Sequence, residues 1–159
     1  MGLSIQACAH GPYKGRVIDE KSGQPIAGAI AIGNWTTTSP NVGGGTTHCK
    51  DAREALTDEN GEFEIPDVSS GTFSIDIYKI GYRKVGCMWK AFNRAGSCYL
   101  NDPVQFDGDR AILPLKKVAK ARLGYEGAPP HVSCGRKDGN PLVEYIKVRR
   151  EFRRAIGLK

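Results

Sequence analysis

The sequence predicts an all-β protein: a seven-stranded antiparallel sandwich followed by a C-terminal amphipathic helix. Three observations carry this expectation. Phe73, Ile75 and Ile77 alternate with Thr72, Ser74, Asp76 and Tyr78, the period of a strand with one buried face. Asn60-Gly61 lies between Leu56 and the alternating pair Phe63 and Ile65, a strong hairpin cue. Near the C-terminus, Leu142, Tyr145, Ile146, Phe152 and Ile156 recur at helical spacing.

Taken in chain order, residues 1–12 read as a leader and residues 13–118 as the sandwich. The first strand is expected near Lys14–Asp19, ending in the turn Lys21-Ser22-Gly23, and the second near Ala29–Trp35. Residues 36–50, TTTSPNVGGGTTHCK, show no periodicity and are expected as a flexible excursion between strands. Their three glycines do not form a phosphate loop, because no Gly-Lys-Ser/Thr follows them. Strands three and four are expected to meet at Asn60-Gly61, the fifth to span Phe73–Lys79, and a short sixth to begin at Gly81-Tyr82. Residues 87–109 read as a second insertion, whose Trp89, Phe92, Tyr99 and Phe106 are expected to plug one end of the sandwich. Arg110–Leu115 is the last strand. Ile30, Ile32, Phe63, Ile65, Phe73, Ile75 and Ile77 are the expected inward-facing side chains.

Residues 119–159 read as a basic irregular wrap and a helix. Asn140 is the expected N-cap, Pro141 the first helical residue and Gly157 the stop. The helical apolar stripe is expected to pack on the protein rather than lie on an anionic membrane.

Gly15-x-Val17-x-Asp19, the run Gly23–Ala29, the segment Thr57–Phe63 and the close Lys79–Tyr82 stand in an order that resembles the carboxypeptidase regulatory-like domain. That family is a transthyretin-like sandwich found as an accessory module in many secreted and envelope proteins. The resemblance implies a module that accompanies catalytic domains without carrying their metal. A transthyretin-like relative that hydrolyses 5-hydroxyisourate uses histidines, an arginine and a terminal Tyr-Arg-Gly-Ser; this chain ends Arg-Arg-Ala-Ile-Gly-Leu-Lys.

Charge is unevenly placed along the 159 residues: residues 1–109 carry a formal balance of −3 and residues 110–159 one of +9. A basic third suits nucleic acid, an anionic membrane or the acidic face of its own domain. No zinc-finger spacing, helix-turn-helix pattern or aromatic RNA-binding signature accompanies it, so nucleic acid is not an expected partner. No window approaches the roughly 18 apolar residues of a membrane span.

The cysteines are Cys8, Cys49, Cys87, Cys98 and Cys134. Ile5-Gln6-Ala7-Cys8 resembles the end of a bacterial lipobox, although only seven residues precede Cys8 and no full signal peptide stands before it. Cys8 is thus the expected lipidation site, in a bacterial cell envelope. The resemblance favours the outer membrane, because Ala9 rather than Asp follows Cys8; the periplasm is the other location. The remaining four cysteines suit two disulfides in an oxidising compartment, and Cys87–Cys98 with Cys49–Cys134 is the expected pairing of three possible.

Of the three histidines, His10, His48 and His131, none falls in an H-E-x-x-H or H-x-x-E pattern. No G-x-S-x-G elbow surrounds Ser133, and no C-x-x-C-H haem motif occurs. His48, Cys49, His131 and Cys134 together make a soft zinc-type donor set, against which the Cys49–Cys134 disulfide is the simpler expectation; no metal or cofactor is expected. Asp51, Glu54, Asp58, Glu59, Glu62, Glu64 and Asp67 read as solvated positions on outer strand faces. The expected function is a non-catalytic envelope module presenting loops to an envelope protein. The alternatives are a carbohydrate-binding module, with Trp35, Trp89, Tyr99 and Tyr125 as stacking faces, or an enzyme of unrecognised kind.

Overall fold

The structure is a computed structural model describing residues 12–90, 95–98 and 102–158. Nine strands form in the described residues: β1 Tyr13–Asp19, β2 Ile30–Asn41, β3 Gly44–Leu56, β4 Glu62–Ile65, β5 Thr72–Tyr78, β6 Val85–Lys90, β7 Ala95–Cys98, β8 Gln105–Asp107 and β9 Arg110–Leu115. A four-stranded sheet of order β4-β1-β9-β8 faces a five-stranded sheet of order β3-β2-β5-β6-β7. A short α1, Leu123–Glu126, and the long α2, Val143–Ala155, follow the strands.

The strand count exceeds the expected seven because residues 87–109 contribute strands of their own: β6 and β7 make a hairpin, and β8 pairs with β9. Nor is the pairing purely antiparallel. β1 and β9 run parallel, from Lys14 beside Arg110 to Asp19 beside Leu115. The last strand lies inside the small sheet, between β1 and β8.

Asn60-Gly61 is a tight turn but not a hairpin. β3 pairs with β2, whereas β4 pairs with β1 in the other sheet, so the turn carries the chain across the sandwich. Its local chemistry is complete. The Asp58 carboxylate accepts the backbone N–H groups of Asn60 and Glu62, each at 2.9 Å. Just before it, buried Thr57 donates its hydroxyl to the Ile26 carbonyl at 2.6 Å and accepts the Ala29 N–H at 2.8 Å. Those bonds fix where the chain leaves the larger sheet.

Between the sheets lies the main core, including Val17, Ala29, Ala31, Phe63, Ile65, Ile75, Ile77, Leu113 and Leu115. One end is aromatic: Tyr13 stacks on Phe73 with ring centroids 3.5 Å apart, and Trp35 and Trp89 meet Tyr13 edge-on. Ile30 and Ile32 depart from expectation. They face away from the main core into a second cluster with Ala52, Tyr78, Cys134, Leu142 and Tyr145. The reason is that the C-terminal wrap covers the outer face of the five-stranded sheet, which is therefore buried on both sides. Strand alternation assigns Ala29 and Ala31 to the main core and Ile30 and Ile32 to the wrap.

Tyrosine hydroxyls fasten the wrap. Tyr78 donates to the Gly127 carbonyl at 2.6 Å, and Tyr145 donates to the Pro130 carbonyl at 2.7 Å while accepting the Val132 N–H at 3.2 Å. Helix α2 begins later than expected. Its N-cap is Leu142, and no side chain of that residue caps it. Asn140 instead gives its N–H to the Asp138 carboxylate, within a loop that also pairs Asp138 with Arg136.

Candidate functional site

Residues 36–50 are the most exposed long stretch among the described residues, and they form paired strands rather than the flexible excursion that their composition suggests. β2 and β3 continue past a register shift at Trp35/Thr36 into a hairpin arm, paired from Thr36 beside Cys49 to Asn41 beside Gly44. All residues from Thr38 to Lys50 are exposed, and Val42, at the tip, is fully so. No Lys, Arg, Asp or Glu occurs between Thr36 and Cys49. Composition hid the arm because neither of its faces is buried, so no apolar alternation is required of it.

Polar side chains order the arm from within. Asn41 donates its amide to the Thr46 hydroxyl at 2.7 Å and accepts the Gly43 N–H at 3.1 Å. Thr38 and Thr47, opposite each other, bring their hydroxyls to 3.4 Å. A free two-stranded ribbon is marginal in water, and this one is anchored at its root. Cys49 is disulfide-bonded to Cys134, buried in the wrap and 85 residues away in sequence. Next to it, the buried Asp51 accepts the N–H groups of Ala52 at 2.8 Å and Lys137 at 2.9 Å, and the Arg53 guanidinium pairs with it. Trp35, at the other root, donates its indole N–H to Asp67 at 3.0 Å.

The structure places the other expected site residues variously. Cys87 and Cys98 sit directly opposite one another in the β6–β7 hairpin and form the second disulfide. Trp35 and Trp89 are only 1% and 4% exposed, so neither offers a stacking face; both lie on the inward side of their strands against Phe73. Tyr125 is exposed, whereas Tyr99, Cys8, His10 and Phe92 lie outside the described residues. His48 and His131 are both exposed, and the thiols beside them are joined to each other. Among the described residues, no group of three or more His, Cys, Asp or Glu is placed to hold a metal ion.

The acidic residues are more structural than their spacing suggested. Asp51 and Asp67 secure the arm, Asp58 shapes the crossover, Glu54 caps α2, and Glu62 pairs with Arg110 at 3.3 Å. Little in the local sequence distinguishes these from solvated carboxylates, because, apart from the turn partners of Asp58 and the Ala52 and Arg53 contacts of Asp51, their partners are distant in sequence.

Two further carboxylates are electrostatically marked. Asp19, buried at the end of β1, is held down to about 2, chiefly by the Ser22 backbone N–H, with help from the Ser22 and Tyr82 hydroxyls and Lys117. Asp76 is pushed up by burial, against the pull of Lys84. It lies in β5 beside Ile32, two residues from the register partner of Asn34, whose buried Oδ1 has no hydrogen-bond partner among the described residues.

No family model and no curated protein matches this chain. Among solved structures it is similar to a pilus adhesin from Streptococcus pneumoniae, with 14% identity and a TM-score of 0.43. The alignment covers 69% of this chain and 15% of the adhesin, so the chain spans a small fraction of that protein's length.

Proposed function

We propose that this protein is a non-catalytic β-sandwich module of an oxidising extracytoplasmic compartment, with the hairpin arm as its binding element. The arm carries the reading. It is exposed, uncharged and tipped by Val42, yet fixed at both roots by the Cys49–Cys134 disulfide and the Trp35–Asp67 hydrogen bond. A preorganised projection of this kind binds without first losing much conformational entropy. The two disulfides suit secretion or an envelope. The resemblance to carboxypeptidase regulatory-like modules supports an accessory role, and the lipobox-like Ile5–Cys8 supports a lipid anchor in a bacterial envelope, with the outer membrane favoured. The carbohydrate alternative loses Trp35 and Trp89 to the core and retains Tyr125 as its one exposed aromatic among the described candidates.

A photo-cross-linking residue at position 42, in protein produced with its native upstream region, tests the arm. It is expected to give a discrete adduct with an envelope protein, whereas the same probe at exposed Val68 gives none. A variant in which Asn-Gly replaces residues 37–48 should keep its melting temperature and lose competition for that adduct. Equal adducts from positions 42 and 68, or undiminished competition by the shortened arm, would refute the reading. Incorporation of labelled palmitate, abolished by Cys8→Ser, tests the anchor separately.

A further inference from the structure

Helix α2 buries its apolar stripe within the molecule. Leu142, Tyr145 and Phe152 are buried, and Val148 packs partly against the second core cluster. None of this stripe is left for insertion into a bilayer. The opposite stripe faces solvent and combines cations with aliphatic groups: Val143, Ile146, Arg150, Arg153, Arg154 and Gly157 fall on one side at helical spacing.

Arg150, Arg153 and Arg154, with Gly157 and Leu158, line an open cleft of about 480 Å³. Some other cations of the basic third are matched: Arg122 meets Glu126 at 2.6 Å, Arg136 meets Asp138, and Lys147 meets Glu144 at 2.7 Å. Among the described residues no carboxylate pairs with Arg150 or Arg154. A C-terminal helix dipole favours cations here, which accounts for one turn of basic residues. It does not account for the cleft that the three arginines share with exposed Leu158, nor for exposed Val143 and Ile146 on the same side of the helix.

We propose that this stripe docks on an anionic phospholipid surface, with the guanidiniums on headgroup phosphates and the aliphatic side chains at the headgroup boundary. Guanidinium forks match phosphate oxygens, and interspersed aliphatic groups suit an interface that is charged outside and apolar beneath. The stripe contains no aromatic side chain on which a nucleic-acid base would stack. Each cation near such a surface contributes about fivefold in affinity, so the contact is weak and reversible, of the strength that supplements a separate anchor. The proposal depends neither on the arm nor on lipidation of Cys8.

Co-sedimentation of full-length Cys8→Ser protein with vesicles tests it. Binding is expected to vesicles containing phosphatidylglycerol and not to phosphatidylcholine alone, and to weaken as salt rises. Arg150→Gln/Arg154→Gln should reduce that binding roughly 30-fold, with unchanged melting and circular dichroism. Lys116→Gln/Lys120→Gln, which removes equal charge elsewhere, should leave it nearly intact. Equal losses from the two pairs would reduce the effect to net charge and overturn the site. Equal binding to both vesicle types would overturn it too, as would tighter, equally arginine-dependent binding to duplex DNA.

Discussion

Glu54 caps helix α2 at Tyr145 from a separate element: its Oε2 accepts the Tyr145 backbone N–H at 2.9 Å, while Oε1 accepts that of Glu144 at 2.9 Å. The bond joins β3 to a helix 91 residues later in sequence, where the chain itself supplies no capping side chain. The carboxylate also sits at the positive end of the helix dipole. Glu54→Ala is expected to lower stability by about 1–2 kcal/mol, with lost helical dichroism before global unfolding. Glu54→Gln should fall between the two, because its amide offers one acceptor oxygen where the carboxylate offers two. An unchanged unfolding midpoint in Glu54→Ala would show that the cap contributes nothing.

Gly61 is a turn residue that resists replacement. Its φ is +72°, and an added Cβ would run into the carbonyl oxygen of Val17, which must accept the Ile26 N–H at 3.0 Å. Gly61→Ala therefore costs the left-handed strain of about 1–2 kcal/mol and a displaced crossover besides. Gly23→Ala shares the positive φ but meets open space, so it should lose only the strain. Equal midpoints for the two variants in denaturant would contradict this account.

The two disulfides should differ in what they hold. Cys49–Cys134 closes 85 residues and ties the arm to the wrap; Cys87–Cys98 closes 11 within one hairpin. Replacing Cys49 and Cys134 by Ser is expected to cost about 2–4 kcal/mol and to speed amide exchange in residues 44–50 and 131–137 together. The matching Cys87/Cys98 variant should cost less and leave both segments protected. Mapping under non-reducing conditions that returned other pairs would remove the basis for this contrast.

Acid should loosen the end of β1. Asp19 has a folded value of about 2, below its ordinary value near 4, so its contribution is fully present above that ordinary value. It is lost as pH falls through the folded value. Asp109, Glu126 and Asp138 are also held low, by Lys14, Arg83 and Arg136, so wild-type acid unfolding reports them jointly. Asp19→Asn isolates the effect. It should be less stable than wild type at neutral pH, and the gap should close between about pH 4 and pH 2. A gap that stays constant over that range would assign Asp19 no linked role.

Much of the β architecture was legible where one face of a strand is buried and the other is wet. Phe73, Ile75 and Ile77 reach the main core as their alternation requires, as do Phe63 and Ile65. Residues 29–35 were legible as a strand but not in their facing, because every residue from Ala29 to Trp35 is buried and no polar face marks the outside. The arm escaped notice for the converse reason, having no buried face. Trp89 lies in the aromatic end of the core, as the plug expected of residues 87–109 requires. The stacking alternative lost both Trp35 and Trp89 because a large aromatic side chain in a strand serves a core and a stacking site equally well.

By itself the sequence determined what depends on neighbours along the chain: the alternation in β4 and β5, the turn chemistry of Asp58 through Gly61, and the stop of α2 near Gly157. These follow from dihedral preferences and hydrogen bonds that span a few residues. Only the tertiary structure decided which sheet receives the strand after Asn60-Gly61, that β1 and β9 run parallel, that Ile30 and Ile32 face the wrap, and that Glu54 caps a distant helix. Each of those outcomes rests on burial or pairing between segments far apart in sequence. Their free energy appears only when the whole chain has closed around both faces of the five-stranded sheet.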